Sequence, residues 1–397
     1  MTLPQPALSP FPEPAGTTGT EDECYHGGAF FEAIGNDFRH LERRQEVINA
    51  DVLDAWFPPS PQVISQVQEH LAWLLQTSPP TQCDGLRRVL SEVRGIPTNS
   101  LVLGAGSSDL IFRAFTRWLT ARSRVLLLDP TDGEYAHVLQ TVIGCEVRRF
   151  PLCRAEGFSV DWERWSAEAS QCDLAVLVNP NNPTGTVMPR RVMEQVLEAL
   201  PKSVLVWVDE AYLDYTDMDY TEGSVEGAGS LEPYAAQSSR VIVCKSLSKV
   251  LALSGARAAY LTAPAAIARS LRRETPPWVI GLPAQVAAVY ALQDPAYYRA
   301  RYRETAILRG KMVQKLQSAL PDWEWLPSPA NWILGYPPAP FLDTGFPDTH
   351  EIVRLCRQHQ VFLREFPEMG CIRIAVKDGR ANSQVVETLK RATRNVP

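Results

Sequence analysis

Four stretches of the chain are apolar with almost no alternation: Arg124–Leu128 (RVLLL), Leu174–Val178 (LAVLV), Val204–Val208 (VLVWV) and Val241–Cys244 (VIVC). A strand with one wet face alternates apolar and polar residues. Runs like these belong instead to a parallel sheet that helices cover on both faces. Leu101–Leu103 and Glu146–Phe150 read as two further strands. Helical patterns alternate with them, so the fold expected is α/β with a mostly parallel sheet.

The main runs all end in polar clusters. These are Asp129-Pro-Thr-Asp132, Asn179-Pro-Asn-Asn182, Asp209-Glu-Ala-Tyr212 and Ser246-Leu-Ser-Lys249. Leu101–Leu103 runs into Gly104-Ala-Gly-Ser-Ser108 and then an amphipathic helix from about Asp109 to Leu119. Backbone amides at such a helix start favour an anion. Ligands of open α/β sheets sit beyond the carboxyl ends of the strands, so five exits define one site. Lys249 stands there between hydroxyls, with Arg257 close behind. A lysine amine forms a Schiff base with an aldehyde, while Ser246, Ser248 and Arg257 suit a dianionic phosphate. Pyridoxal 5′-phosphate needs both.

A length of 397 residues suits two domains. Residues 1–20, rich in Pro, Thr and Gly, read as a disordered N-terminus. Residues 21–76 form a segment expected to cover the site, and within it Gly27–Gly28 lets the backbone approach something closely. Residues 77–283 read as the large cofactor-binding domain and 284–397 as a smaller α+β domain. The latter opens with one long charged helix to about Leu320 and contains strands at Trp332–Gly335, Val361–Leu363 and Cys371–Val376. Residues 215–235 read as a surface loop. The net charge of −6 argues against nucleic acid. No apolar run is long enough to span a membrane, and the start of the chain lacks a signal-peptide pattern, so a cytoplasmic location is expected. Eight scattered cysteines form neither CxxC nor zinc-ligand spacings with His, which points to reduced thiols and no metal.

NPNNPTG at Asn179–Gly185, DEAY at Asp209–Tyr212, SLSK with SGAR at Ser246–Arg257, and IRIAV around Arg373 resemble fold-type I pyridoxal-phosphate enzymes. The closest branch is that of histidinol-phosphate aminotransferase and threonine-phosphate decarboxylase, and the similarity runs from about Asn49 to the C-terminus. The resemblance implies a role for each matching residue. Lys249 forms the Schiff base and moves the Cα proton. Asp209 pairs with the pyridine nitrogen, and Asn182 and Tyr212 bond the phenolic oxygen. Ser107, Ser108, Ser246, Ser248 and Arg257 bind the phosphate. Arg373 clamps a substrate carboxylate. It also implies a small molecule, an amino acid, as substrate and a homodimer with sites at the subunit interface.

Two places depart from the family pattern. An aromatic residue that stacks on the cofactor usually follows Pro-Thr, but here Asp132 stands there, with Tyr135 three residues on. Either Tyr135 or another residue stacks, or Asp132 faces the substrate and binds a cation or moves a proton. A family Tyr-Pro-Asp stretch is replaced by Ser78-Pro79-Pro80. His26-Gly-Gly resembles the HGG of threonine-phosphate decarboxylases, which makes His26 or Glu23 a candidate acid or base over the substrate. The expected reaction is amino transfer from an amino acid with a polar or cationic side chain. The alternatives are elimination with cyclisation, as in a cyclodehydratase of a hydroxylated arginine, and decarboxylation.

Overall fold

The computed structural model describes residues 27–216, 229–338 and 349–394. Glu23, His26, the first twenty residues and most of the 215–235 loop lie outside the described residues.

β1 (Ile48–Ala50) is followed by seven strands that form one sheet: β2 (Leu101–Gly104), β3 (Arg124–Asp129), β4 (Glu146–Pro151), β5 (Leu174–Val178), β6 (Leu205–Asp209), β7 (Val241–Ser246) and β8 (Ala259–Thr262). The order across this sheet is β2-β8-β7-β6-β5-β3-β4. Only β8 runs against the others. Every residue of β5 and β7 is buried, as apolar-run strands in a two-sided sheet must be. A second sheet joins β9 (Glu324–Pro327), β10 (Trp332–Tyr336), β11 (Val361–Phe366) and β12 (Cys371–Ala375) in the order β1-β11-β12-β10-β9. β1 pairs parallel with β11, so the N-terminal segment is built into the C-terminal sheet. Among the described residues no helix is long and apolar enough to cross a membrane.

The long charged helix expected after Pro283 is two helices, Leu282–Leu292 and Pro295–Ala319. Pro295 has no N–H to continue the first helix, and Asp294 caps the second by accepting from the Tyr297 amide at 3.3 Å. Leu282–Leu292 packs against Pro61–Gln76 and Asp84–Arg94, while Pro295–Ala319 packs against Gly379–Arg394 and β9. The break at Gln293–Asp294 therefore separates a helix packed among other helices from one that packs against the small sheet. β1, β8 and β9, each three or four residues long, were not expected from the sequence.

A closed set of charges lies beneath the carboxyl ends of β6 and β7. Lys245 points away from Cys244 on β7 and is 2% exposed. Its Nζ donates to Asp214 Oδ1 at 2.8 Å and to Glu210 Oε2 at 3.3 Å. Arg94 donates to the other Asp214 oxygen at 2.5 Å. Glu210 also accepts from the Ser230 hydroxyl and the Leu231 amide. Burial alone would raise the Asp214 carboxyl, but Arg94 and Lys245 hold it well below the usual range. Removing one member of a buried ion pair costs about 3–5 kcal/mol, because the partner charge is left uncompensated. Lys245→Met is therefore expected to lower unfolding stability by about that amount. Equilibrium denaturation beside the wild type checks this, and equal stability would refute it.

Candidate active site

A cavity of about 330 Å³ lies between the two sheets at the carboxyl ends of the central strands. Ser107, Ser108, Asp132, Asn182, Asp209 and Tyr212 line it, together with Ser246, Lys249 and Arg257 from the segment after β7. Arg364, Phe366 and Arg373 close it from the small sheet. Most of the residues singled out from the sequence thus meet in one place.

Asp209 ends β6 and is 8% exposed. It accepts from the Ala211 amide at 2.8 Å and from the Tyr135 hydroxyl at 2.6 Å. Tyr135 in turn accepts from Trp207 Nε1 at 2.9 Å. Burial pushes the Asp209 carboxyl up to about 7 despite these bonds, and nearby Asp132 and Glu134 add to the effect. A buried carboxylate in this condition is primed for a cationic partner. Tyr135 is itself fully buried against Phe115 and does not line the cavity. Of the alternatives open from the sequence, Tyr135 is therefore not a stacking residue, and Asp132 is the residue that faces the cavity.

The Asn179–Gly185 turn gives its asparagines separate tasks. Asn179 bonds both backbone groups of Met188. Asn181 accepts from Thr131 and donates to the Pro130 carbonyl, fastening the β3 exit to the β5 exit. Asn182 donates to Asp132 Oδ2 at 2.8 Å and accepts from Arg373. Its amide thus links an acid to a guanidinium, leaving one N–H for a ligand. Gly185 is required there: its φ is +79°, and a Cβ would press on the Ser328 backbone at 2.8 Å. Trp332 on β10 ties the small sheet to this turn by donating to the Pro183 carbonyl at 2.9 Å.

Arg373 is buried and also donates to the Asp51 carbonyl at 3.0 Å. Its Nε has no hydrogen-bond partner among the described residues. A buried, unsatisfied guanidinium N–H is costly and calls for an anionic ligand. Arg364 stands opposite Arg373 in the β11–β12 register. Asp51 lies beneath both, 3.9 Å from Arg364, and burial raises its carboxyl in spite of the two arginines. The Gly28 amide donates to Asp51 at 3.3 Å. Gly27 has φ +93°, and a Cβ there would meet Asp51 Oδ2 at 2.7 Å. The glycine pair does bring backbone close to something, and that something is Asp51.

Lys249 Nζ lies 3.2 Å from Asp54 Oδ1. Burial would raise the Asp54 carboxyl, but Lys249, Ser254 and Lys377 together bring it below its ordinary value. Lys377 donates to the Asp54 carbonyl at 3.3 Å, and burial pushes its ammonium down to about 8 against the pull of Asp54. Neither Asp54 nor Lys377 was found from the sequence.

Gly106, with φ +94°, starts the helix Ser107–Trp118. A Cβ on Gly106 would overlap the Arg257 guanidinium. Ser246 lines the same cavity, but Ser248 does not. Ser248 is fully buried, and its hydroxyl bonds the Ala258 carbonyl and amide, each at 3.2 Å. That bonding corrects the expectation of a phosphate ligand: Ser248 braces the lysine turn instead. Ser78 is exposed and outside the cavity. The donor set fits pyridoxal phosphate. Helix-start amides, two serines, Ser246 and Arg257 suit a phosphate. Asp209 suits a protonated ring nitrogen, and Tyr212 and Asn182 suit a phenolic oxygen.

Residues 54–389 match the family model for aminotransferase class I and II. The histidinol-phosphate aminotransferase of Moorella thermoacetica is 29% identical over 342 residues, covering 85% of this chain and 82% of its own. The structure of histidinol-phosphate aminotransferase from Sinorhizobium meliloti, in complex with pyridoxal-5′-phosphate, superposes with a TM-score of 0.76 at 21% identity, covering 89% of this chain and 93% of that one. L-threonine-O-3-phosphate decarboxylase from Porphyromonas gingivalis superposes with a TM-score of 0.70 at 18% identity, over 87% of this chain and 99% of that one.

Tyr135→Phe removes a donor to Asp209 and the acceptor of Trp207. A buried group left unsatisfied costs about 1–3 kcal/mol. The variant is expected to lose that much stability and to bind pyridoxal phosphate more weakly. Denaturation and cofactor titration check the two effects, and a variant unchanged in both would refute the link.

Proposed function

The chain belongs to the aminotransferase class I and II family, and from that premise we propose that it moves the amino group of an amino acid with a polar or cationic side chain to a 2-oxo acid. Arg373 carries this reading. It is buried, it lines the same cavity as Lys249, and its Nε is left without a partner, so an α-carboxylate is the group that completes it. The enzyme is dependent on pyridoxal phosphate, which supplies the electron sink that makes the Cα–H bond acidic. Lys249 is the amine that takes the Cα proton and returns it. Asp209 holds the ring nitrogen protonated. Asp54 steadies the Lys249 ammonium when that amine is free. Asp132, at the cavity wall and bonded to Asn182, receives the cationic or polar side chain.

Asp132 also supports a second reading. A carboxylate where the family usually places an aromatic ring provides an acid or base near the substrate side chain. Elimination and ring closure would use such a group, whereas plain amino transfer does not. Amino transfer remains the preferred reading, because the family and the curated relative both carry that activity in their names.

The active unit in this reading is a homodimer. Leu71, Trp73 and Leu75 on the helix Pro61–Gln76 are exposed, as is Trp278, whose amide bonds Thr81 in the neighbouring loop. Leu71 and Leu75, four residues apart, share one face of that helix, and exposed apolar side chains of this size suit a second copy of the chain.

The purified protein is expected to show a visible absorbance band from bound cofactor, absent in Lys249→Ala, whose turnover falls at least about 10²–10⁴-fold. Mass spectrometry of a panel of amino acids, with and without 2-oxoglutarate, then separates the readings. Keto acid that forms only with the acceptor supports amino transfer, and product without any acceptor overturns it. Arg373→Ala is expected to raise KM about 10- to 100-fold, the size of a lost charge-assisted bond. Asp132→Asn is expected to lower turnover more than cofactor occupancy. Unchanged turnover would remove Asp132 from the substrate site.

A further inference from the structure

We propose that Glu134 stands in the phosphate cradle as a neutral carboxylic acid whose O–H donates a hydrogen bond to the bound phosphate, so that cofactor capture above neutral pH takes up a proton from solvent. This rests on the reading of Ser107, Ser108, Ser246 and Arg257 as that cradle.

Glu134 lines the cavity on the wall shared by Ser107 and Ser108 and is only 7% exposed. Its amide is tied to Asp132 Oδ1 at 3.1 Å, which fixes the first turn of the short helix Gly133–Ala136 and directs the side chain inward. The Ser108 hydroxyl hydrogen-bonds its carboxyl. Charged groups from each neighbouring element face it. Asp132 lies on its own segment, Asp209 ends β6, and Lys249 and Arg257 follow β7. Burial pushes the carboxyl up to about 7, with Asp132 adding to it and Ser108, Arg257 and Lys249 opposing it.

An ionised Glu134 would set a third negative charge against a phosphate dianion. It would also compete with the phosphate for Ser108 and Arg257. A neutral carboxylic acid does neither and offers an O–H donor. The dianion therefore favours the neutral acid, and its arrival raises the carboxyl further. The sign follows from linkage. Below about pH 7 the acid is already neutral in the empty site and binding needs no proton. Above it, one proton must be taken from solvent, so affinity falls as pH rises, by up to about tenfold per pH unit.

The test titrates cofactor-free protein with pyridoxal phosphate and, separately, with pyridoxal, following tryptophan fluorescence from pH 6 to about 9. Calorimetry in buffers of different ionisation enthalpy counts the protons. Glu134→Gln keeps a donor but cannot ionise. It is expected to bind pyridoxal phosphate as tightly as the wild type at pH 6, to lose the Glu-linked decline above about pH 7, and to take up about one proton fewer per site. Glu134→Ala should bind more weakly than Glu134→Gln at pH 6, because the donor is gone. With pyridoxal, wild type and both variants should share one pH profile. A Glu134→Gln profile parallel to the wild type for pyridoxal phosphate overturns the proposal. Failure of the cradle reading looks different: pyridoxal phosphate and pyridoxal would bind equally, and Arg257→Ala would change neither.

Discussion

The register of β5, β6 and β7 is the constraint on which the site depends. Val178, Asp209 and Cys244 lie side by side across three parallel strands. The ends of β5 and β6 are thus level, β7 runs two residues further to Ser246, and the residues that follow each of them enter the same space. A slip of one residue would turn every side chain of the slipped strand to the other face. It would exchange Lys245 with Ser246 and move Asp209 away from Tyr135. Burial on both faces makes such a slip costly, because it would drive Lys245 into the apolar layer occupied by Cys244 and Trp207. The apolar runs therefore do more than form a sheet: they hold the chemistry in register.

Around that frame the site is an exercise in balanced desolvation. Asp51, Asp209 and Glu134 are carboxyls that burial raises, and Arg373 and Lys377 are cations that burial lowers. In each, burial weighs against the charged form, so each stands to gain from a ligand of opposite charge. Asp209 gains from a protonated ring nitrogen, and Arg373 gains from a carboxylate. Functional sites are where such perturbed groups collect. The cavity needs its ligands electrostatically as much as it encloses them sterically.

What could be read from the sequence follows from chain proximity. Lys249, Asp209, Asn182 and Ser108 stand at the ends of visible strands, so their meeting follows from one rule about parallel sheets. Arg373 was visible because CIRIAV alternates. Asp54 is separated from Lys249 by 195 residues and lies in an irregular stretch with no periodicity, so nothing local marks it. Arg364 was missed although it sits opposite Arg373, because pairing between β11 and β12 is a property of the register and not of either strand. Tyr135 was noticed for the wrong task. Its aromatic ring suggested stacking, whereas its hydroxyl is the part in use. The expected single helix after Pro283 failed at one proline, where a missing amide outweighed a continuous charged pattern.

Lys245 and Lys249 show how far environment decides chemistry within one strand exit. They are four residues apart and equal in intrinsic basicity. Lys245 faces Glu210 and Asp214 in a sealed layer, and although burial works against its charge, those carboxylates hold its ammonium above the ordinary value. An amine so held keeps its proton and cannot attack a carbonyl. Among the described residues Lys249 has one acidic ion-pair partner, Asp54, and keeps 23% of its side chain exposed. A single carboxylate at 3.2 Å orients the amine without closing it in. The sealed network thus contributes twice. It anchors the β6 and β7 exits through Glu210 and Lys245, and it keeps the wrong lysine charged, so that of the two Lys249 is the one available to the cavity.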